Sequence, residues 1–187
     1  MADTRTLLLE AAEQAVRERG IDGFSYADLS HEVGIRKASI HHHFPAKADL
    51  IATLVARYRE QILTELGRIE STTDTSAEAI LAFLDLYREA LGNCNTLCLC
   101  VTCAVNTQTL DERVQTEINH FRRDLLAWLE TRFSAARSDA GLEGAADSTE
   151  EAAGALALAE GGQIAARLTG EMASYDQAVA SLRRRFN

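Results

Sequence analysis

Residues 23–50 read GFSYADLSHEVGIRKASIHHHFPAKADL, and this stretch decides the fold. Ser25 and Asp28 have the S-x-x-D spacing of a capping box, in which each side chain satisfies the other's unpaired amide, so a helix starts at Ser25. Leu29 and Val33 follow at i,i+4 on one side of that helix, and Gly34 breaks it. Ile35 turns inward. A short third helix is expected from about Arg36 to His43, with Ile40 and Phe44 as its buried pair and Pro45 closing the segment. Two short helices joined by a glycine turn, each with an inward apolar pair, make a helix-turn-helix. Spacing alone also allows two helices packed in an ordinary bundle.

The second of these helices is short and polar enough on its outer face to reach base edges in a major groove. Lys37, Ser39, His41 and His42 occupy that face, and Arg36 adds charge at its start. The helix before it is expected to cross the DNA backbone, its first amides together with Ser25 and Tyr26 meeting a phosphate. Lys47, at the start of the next helix, is placed to hold another. Consecutive helical residues diverge by about 100°, so His41, His42 and His43 cannot converge on one ion, and no metal is expected there.

The net charge of −9 runs against phosphate binding, but its distribution matters more than its total. From Gly34 to Ala48 there is no Asp or Glu, while Arg36, Lys37 and Lys47 are all present. One local positive face therefore sits on an acidic body. Of the 187 residues, 47% are hydrophobic, enough for a real core, and Pro45 is the only proline. Alanine, leucine, glutamate and arginine dominate over strand formers, which points to an all-α protein of one large domain or two small interlocked ones. The acidic, amphipathic start MADTRTLLLEAAEQ has no extended apolar run of the kind a secretory signal needs. No stretch approaches the roughly 20 apolar residues that span a bilayer. Cys94, Cys98, Cys100 and Cys103 crowd into ten residues, which is no disulfide framework, so a reducing cytoplasm is expected.

Outside the decisive stretch, a first helix is expected from about Thr4 to Arg19, capped by Asp3, lined by Leu8, Ala11, Ala12, Ala15 and Val16, and stopped by Gly20. A long helix follows from about Lys47 to Glu70, then one from the capping box Thr75–Glu78 to about Leu91. Gly92 and Asn93 break the chain before the cysteine segment, roughly 97–107. A box at Thr109–Glu112 opens a helix reaching about Arg137, and 138–147 reads as a loop. Ser148–Glu151 caps a helix ending near Gly170, and a last helix runs from about Ser174 to Arg185.

The quoted run closely resembles the DNA-binding segment of the TetR family of repressors. Asp28, Leu29, Gly34, Ile35, Lys37, Ser39, Ile40, His43, Phe44 and Lys47 match that family's pattern over about the first 55 residues. The resemblance implies a helix-turn-helix domain over 1–46 and an effector-binding and dimerisation domain over 47–187. It implies a homodimer on a double-stranded, near-palindromic operator, joined through the last two helices as a four-helix bundle, with an effector pocket enclosed by the fourth to seventh helices. It implies repression rather than catalysis, and no cofactor. The Ala- and Gly-rich helix EEAAGALALAEGGQIAARLTG agrees with close approach of a partner, with Val179, Leu182 and Phe186 of the last helix as a seam. Three positions depart from the pattern. His41 replaces a tyrosine that contacts phosphate in the family, Arg36 replaces a small residue, and Ala46 replaces a helix cap, at a cost of roughly 0.5–2 kcal/mol.

The segment NCNTLCLCVTC stays open. Its thiols alternate with Leu97, Leu99 and Val101 and read equally as packing residues, because a reduced cysteine behaves as a small hydrophobe. They also read as a sensor, Cys94, Cys98, Cys100 and Cys103 responding to an oxidant or electrophile. Some members of the family that sense quinones, aldehydes or hypochlorite carry a similar Leu-Cys-Leu/Val-Cys segment, matched best here by Cys98 and Cys100. One straight helix cannot bring all four onto a metal. Two other classes stand beside the regulator: a cysteine-dependent enzyme with His120 as partner, and an interaction protein without DNA binding.

Overall fold

The computed structural model describes residues 3–105, 110–140 and 147–186. Among them every regular element is helical. They form two compact units, one built from 1–60 with 99–121 and the other from 61–98 with 122–187.

In the first unit, α1 covers Thr4–Arg19 and buries Leu8, Leu9, Ala11, Ala12, Ala15 and Val16. Asp3 stands at its N-cap, but its side chain makes no capping bond, so the expected cap is absent. Gly20 ends the helix with φ 80°, its N–H donating to Val16. A 3-10 turn at Ile21–Gly23 then leads into α2, Tyr26–Val33, and α3, Lys37–His43. Leu29, Ile40 and Phe44 are fully buried at their centre, each contributing about 1.5–3 kcal/mol through burial. Ile35 is only half-buried. Next, α4 runs over Lys47–Thr72, longer than expected by one half-turn. Ala46 has no side chain to cap it, yet its N–H donates to the Asp49 carboxylate at 3.0 Å. This is half of a capping box, and it offsets part of the expected loss.

The second unit holds α5, Ser76–Glu89, opened by the expected Thr75–Glu78 box with both bonds formed. Leu99–Ala104 makes the short α6, which belongs to the first unit and packs against α1. The Thr109 half of the next expected box lies outside the described residues. Helix α7 covers Glu112–Ala140, and Asp111 caps it by accepting from the Arg113 N–H at 3.0 Å. It runs three residues into the stretch expected to be loop. Both α4 and α7 contribute to each unit.

The helices α8, Ser148–Thr169, and α9, Met172–Arg183, form a hairpin that packs on α5. Ser148 is the first residue of α8 rather than its cap; Asp147 takes the N-cap place and makes no side-chain bond, so the expected box is not formed. Gly170, at φ 73°, ends α8 in the left-handed region where a side chain is strained. Two helices approach closely at Gly162, where an added Cβ would lie 3.0 Å from the Tyr175 ring and 3.2 Å from Ala178. Tyr175 is fully buried and its hydroxyl donates to the Leu84 carbonyl at 2.7 Å, tying α9 to α5. Val179 and Leu182 are buried in the same packing, so two of the three residues of the seam expected of α9 are already covered within the chain, while Phe186 is half-buried. Within the hairpin the large apolar residues left exposed lie instead on α8, Leu158, Ile164 and Leu168; Leu7, Leu63 and Val105 are exposed elsewhere in the chain. Among the described residues no helix is long and apolar enough to cross a membrane.

Candidate nucleic-acid interface

The turn between α2 and α3 is built to hold the second helix at a fixed angle. The Ser25 hydroxyl oxygen accepts from the N–H of Ala27 and of Asp28, and the Asp28 carboxylate accepts from the Ser25 N–H at 2.7 Å. The Ser25 hydroxyl also donates to the Asp28 carboxylate at 2.8 Å, and this bond first, then that from the Ser25 N–H, holds the Asp28 carboxyl below the usual carboxylate range. At the other end Gly34 adopts φ 73°, and the N–H groups of Gly34 and Ile35 both donate to the Ser30 carbonyl at 3.1 Å. The Ser30 hydroxyl donates back to the Ile35 carbonyl at 2.5 Å. A serine so placed closes the turn from both sides, and nothing in the sequence pattern had singled it out.

Helix α3 presents its outer face as the spacing required. Arg36, Lys37, Ser39, His41 and His42 are all exposed, while Ile40 on the opposite side is buried. Arg36, Lys37 and Ser39 have no side-chain hydrogen bond or ion pair among the described residues. The His41 ring lies edge-on to Tyr26 with centroids 4.9 Å apart, its Nδ1 3.3 Å from the Pro45 carbonyl oxygen. His42 packs edge-on against His43. Arg5, exposed on α1, places its guanidinium 5.3 Å from the centre of the Phe44 ring, and this cation was missed because it is distant in sequence.

Of the residues expected at phosphates, Tyr26 is turned inward and Lys47 is partly engaged within the fold, each for a physical reason. Tyr26 is buried, and its hydroxyl donates to the Phe44 carbonyl at 3.0 Å, so it braces the end of α3 instead of facing a duplex. Burial, with the charge of Asp49 adding to it, pushes the Tyr26 hydroxyl up to about 12. Two of the first amides of α2 are likewise engaged by Ser25. Lys47 is half-buried: its ammonium donates to the Phe24 carbonyl at 2.5 Å and lies 4.1 Å from the centre of the Phe24 ring. Burial lowers its pKa, opposed in part by Asp22 and Asp28. Lys47 thus ties α4 to the loop before α2, a partner 23 residues away.

The same unit joins the first turn of α4 to that of α7. Arg113 bonds both Asp49 and Asp111, and its side-chain and backbone bonds to Asp111 hold that carboxyl down to about 2.

The cysteine segment divides between the units. Cys94 and Cys98 belong to the second, where α8 side chains hold their backbone: Arg167 donates to the Cys94 carbonyl at 3.4 Å, and the Cys98 N–H donates to Gln163 at 2.9 Å. Gln163 is wholly buried, and its amide nitrogen donates to the Tyr87 carbonyl at 2.6 Å. Cys94 adopts φ 61°, uncommon for a residue with a side chain. Cys100 and Cys103 lie on α6 in the first unit. All four are buried, and among the described residues none is in a disulfide and no three potential ligands gather for a metal ion. His120 forms its contact with Glu117, 3.7 Å away, one turn back on its own helix.

The family model described as bacterial regulatory proteins, tetR family, matches residues 8–54. A TetR-family transcriptional regulator from Agrobacterium tumefaciens has a solved structure 28% identical to this chain, covering 97% of it and 96% of that chain, with a TM-score of 0.92. The HTH-type transcriptional repressor BepR of Brucella suis is 29% identical over 91 residues, 46% of this chain and only 44% of that repressor. The repressor NemR of Escherichia coli K12 is 23% identical over 186 residues, covering 97% of this chain and 92% of NemR. The structure of the reduced form of E. coli NemR superposes with a TM-score of 0.86 at 21% identity, covering 98% of this chain and 96% of that one, a likeness of fold.

Proposed function

Because the chain belongs to the TetR family of bacterial regulatory proteins, we propose that it is a repressor that grips a near-palindromic operator as a homodimer and lets go on an effector signal. The observation that carries this reading is α3. It is a short helix locked by a closed turn, whose exposed side bears Arg36, Lys37, Ser39, His41 and His42 over the buried anchors Ile40 and Phe44. That is the chemistry a major groove accepts. Ser25, exposed at the start of α2, and Lys47, behind it, complete the proposed phosphate side, Lys47 through the part of its ammonium not directed at Phe24. In this reading 1–46 read DNA and 47–187 sense and dimerise, and the chain binds its partners without transforming them.

Dimerisation is supported by α8. Leu158, Ile164 and Leu168 recur with Ala157, Gly161 and Ala165 at helical spacing, and Leu168 is 85% exposed. A stripe that is apolar and uncovered within the chain suits a symmetric partner through the last two helices. The signal is read as a small molecule or a thiol reaction in the cysteine segment; the NemR relative, whose solved structure is named for a reduced form, supports the thiol branch. The place of action is the cytoplasm, where reduced thiols and DNA coexist.

A gel shift with DNA flanking the chain's own gene tests the reading. A sequence-selective complex that weakens steeply with salt is expected. Indifference to all such fragments would leave a cysteine enzyme or a DNA-independent interaction protein in its place.

A further inference from the structure

Helix α6 carries Cys100 and Cys103 in the order Cys-Val-Thr-Cys, one turn apart, and it buries every residue from Leu99 to Cys103. Residues three apart on a helix have Cβ atoms about 5–6 Å apart, so the two thiols face the same side within reach of each other. A disulfide needs about 3.5–4.5 Å between those atoms, so bond formation must distort the turn by about 1–2 Å. In a close-packed site such a distortion is passed on rather than absorbed. Helix α6 packs against α1, the helix on which the helix-turn-helix is mounted in the same unit.

Resting on the thiol-responsive branch of the function proposed above, we propose that Cys100 and Cys103 are its reacting dithiol. Their closure to a disulfide deforms α6 against α1 and loosens the DNA-reading unit. Cys94 and Cys98 have a different part, since their backbone is clamped by Arg167 and Gln163 of α8 in the other unit. Burial does not bar the reaction. At six residues, α6 is far below the roughly 12–15 that make a helix stable alone, so it depends on its packing and opens locally more easily than the long helices around it.

The step balances with a hydroperoxide as oxidant. One thiolate attacks an oxygen of ROOH, the O–O bond breaks, and ROH leaves with the thiol's proton. The sulfenic acid so formed is attacked by the second sulfur; the S–O bond breaks, and hydroxide leaves as water with the second proton. The two sulfurs lose two electrons together, and the O–O bond receives them. An arsenical with two open positions would bridge the same pair without redox change: phenylarsine oxide plus two thiols gives one cyclic dithioarsenite and one water.

The test compares the full-length protein with C94S/C98S, C100A/C103A and a variant lacking all four thiols, each checked for native helicity and melting. Hydrogen peroxide should remove two hydrogens from the C94S/C98S protein by intact mass and lower its operator affinity about tenfold or more, in the usual range of coupling between sites. Dithiothreitol should restore both. Phenylarsine oxide should bind the unsubstituted protein one to one, with fragmentation placing the bridge on Cys100 and Cys103; this holds even if C100A/C103A fails to fold. A bridge elsewhere, an oxidised C94S/C98S protein that keeps its DNA affinity, or a fully responsive C100A/C103A protein overturns the proposal. Release of DNA by the thiol-free variant under peroxide would instead sink the whole thiol branch.

Discussion

At the residue scale, side chains that face outward and those that brace the turn have separable consequences. Lys37 is exposed on α3, where a groove contact is proposed, whereas Lys47 also holds the Phe24 carbonyl. Lys37→Ala should therefore cost about 1–3 kcal/mol on the operator, less on scrambled duplex, and leave the melting temperature in place. Lys47→Ala should weaken all duplexes alike and lower the melting temperature as well; fluorescence anisotropy on both duplexes with a thermal melt separates the two. Tyr26 makes a second case. Its pKa of about 12 in the folded protein lies above the ordinary value of 10.0, so the native state holds this proton more tightly than the unfolded chain does. The stabilisation is complete below about pH 10 and is lost as pH rises through about 12. Burial shifts Tyr175 in the same direction. Urea unfolding across that range should show stability falling, with a shallower fall in Tyr26→Phe. The same substitution should cost about 1–3 kcal/mol at neutral pH, because it leaves the buried Phe44 carbonyl without its donor. An unchanged slope would mean that Tyr26 titrates as in the unfolded chain. What the sequence made legible here was chemistry within one turn: the Ser25–Asp28 box and the left-handed Gly34 are where the spacing put them. The roles of Tyr26 and Lys47 were hidden because their partners, Phe44 and Phe24, lie 18 and 23 residues away, and no local pattern encodes such a bond.

At the scale of elements, length and phase were readable from apolar spacing, and ends were readable only where a side chain truly caps. Thr75–Glu78 forms both bonds and α5 starts where expected; Ser148–Glu151 has the same letters, but Asp147 precedes it and α8 begins one residue early. A pattern of residue types permits a box without requiring one. Two of the three seam residues assigned to α9, Val179 and Leu182, were misread for a related reason. Periodicity identifies a face, and Val179 and Leu182 do share one, but it does not say whether α8 of the same chain or a partner covers it. The α8–α9 contact itself yields a prediction. Alanine is preferred to glycine within a helix by about 1 kcal/mol, so Gly67→Ala, with open space around it on α4, should stabilise the protein by about that much. Gly162→Ala carries the same propensity gain but sets a methyl 3.0 Å from the ring of Tyr175, whose hydroxyl is anchored to Leu84 and cannot retreat. The clash should win, with a net loss of about 1 kcal/mol or more in urea unfolding. Equal gains at both glycines would show that the hairpin yields at this contact.

At the scale of the whole molecule, a short basic face proposed to bind DNA on a chain of net charge −9 faces a thermodynamic problem that the proposed pairing would solve. One α3 offers few cations, and each phosphate neutralised contributes only one step of counterion release, so a single copy should hold DNA weakly and lose it readily to salt. Two copies fixed about one helical turn apart double the contacts without a second entropic cost of association. The proposed pairing surface on α8 can be removed without touching α3. Leu168 is 85% and Ile164 46% exposed, neither supports the core of the single chain, and a glutamate at either lies in solvent in the monomer but against its own symmetry mate in the dimer. Leu168→Glu combined with Ile164→Glu should therefore keep the helical content and melting behaviour of a folded chain while sedimenting as a monomer at micromolar concentration. Operator affinity should fall by about two orders of magnitude, and the slope of log affinity against log salt should fall to about half, since half the phosphate contacts remain. The slope is the decisive reading. A monomer that kept the full slope would place all the cations on one protomer, and a variant that stayed dimeric would move the pairing surface away from α8 altogether.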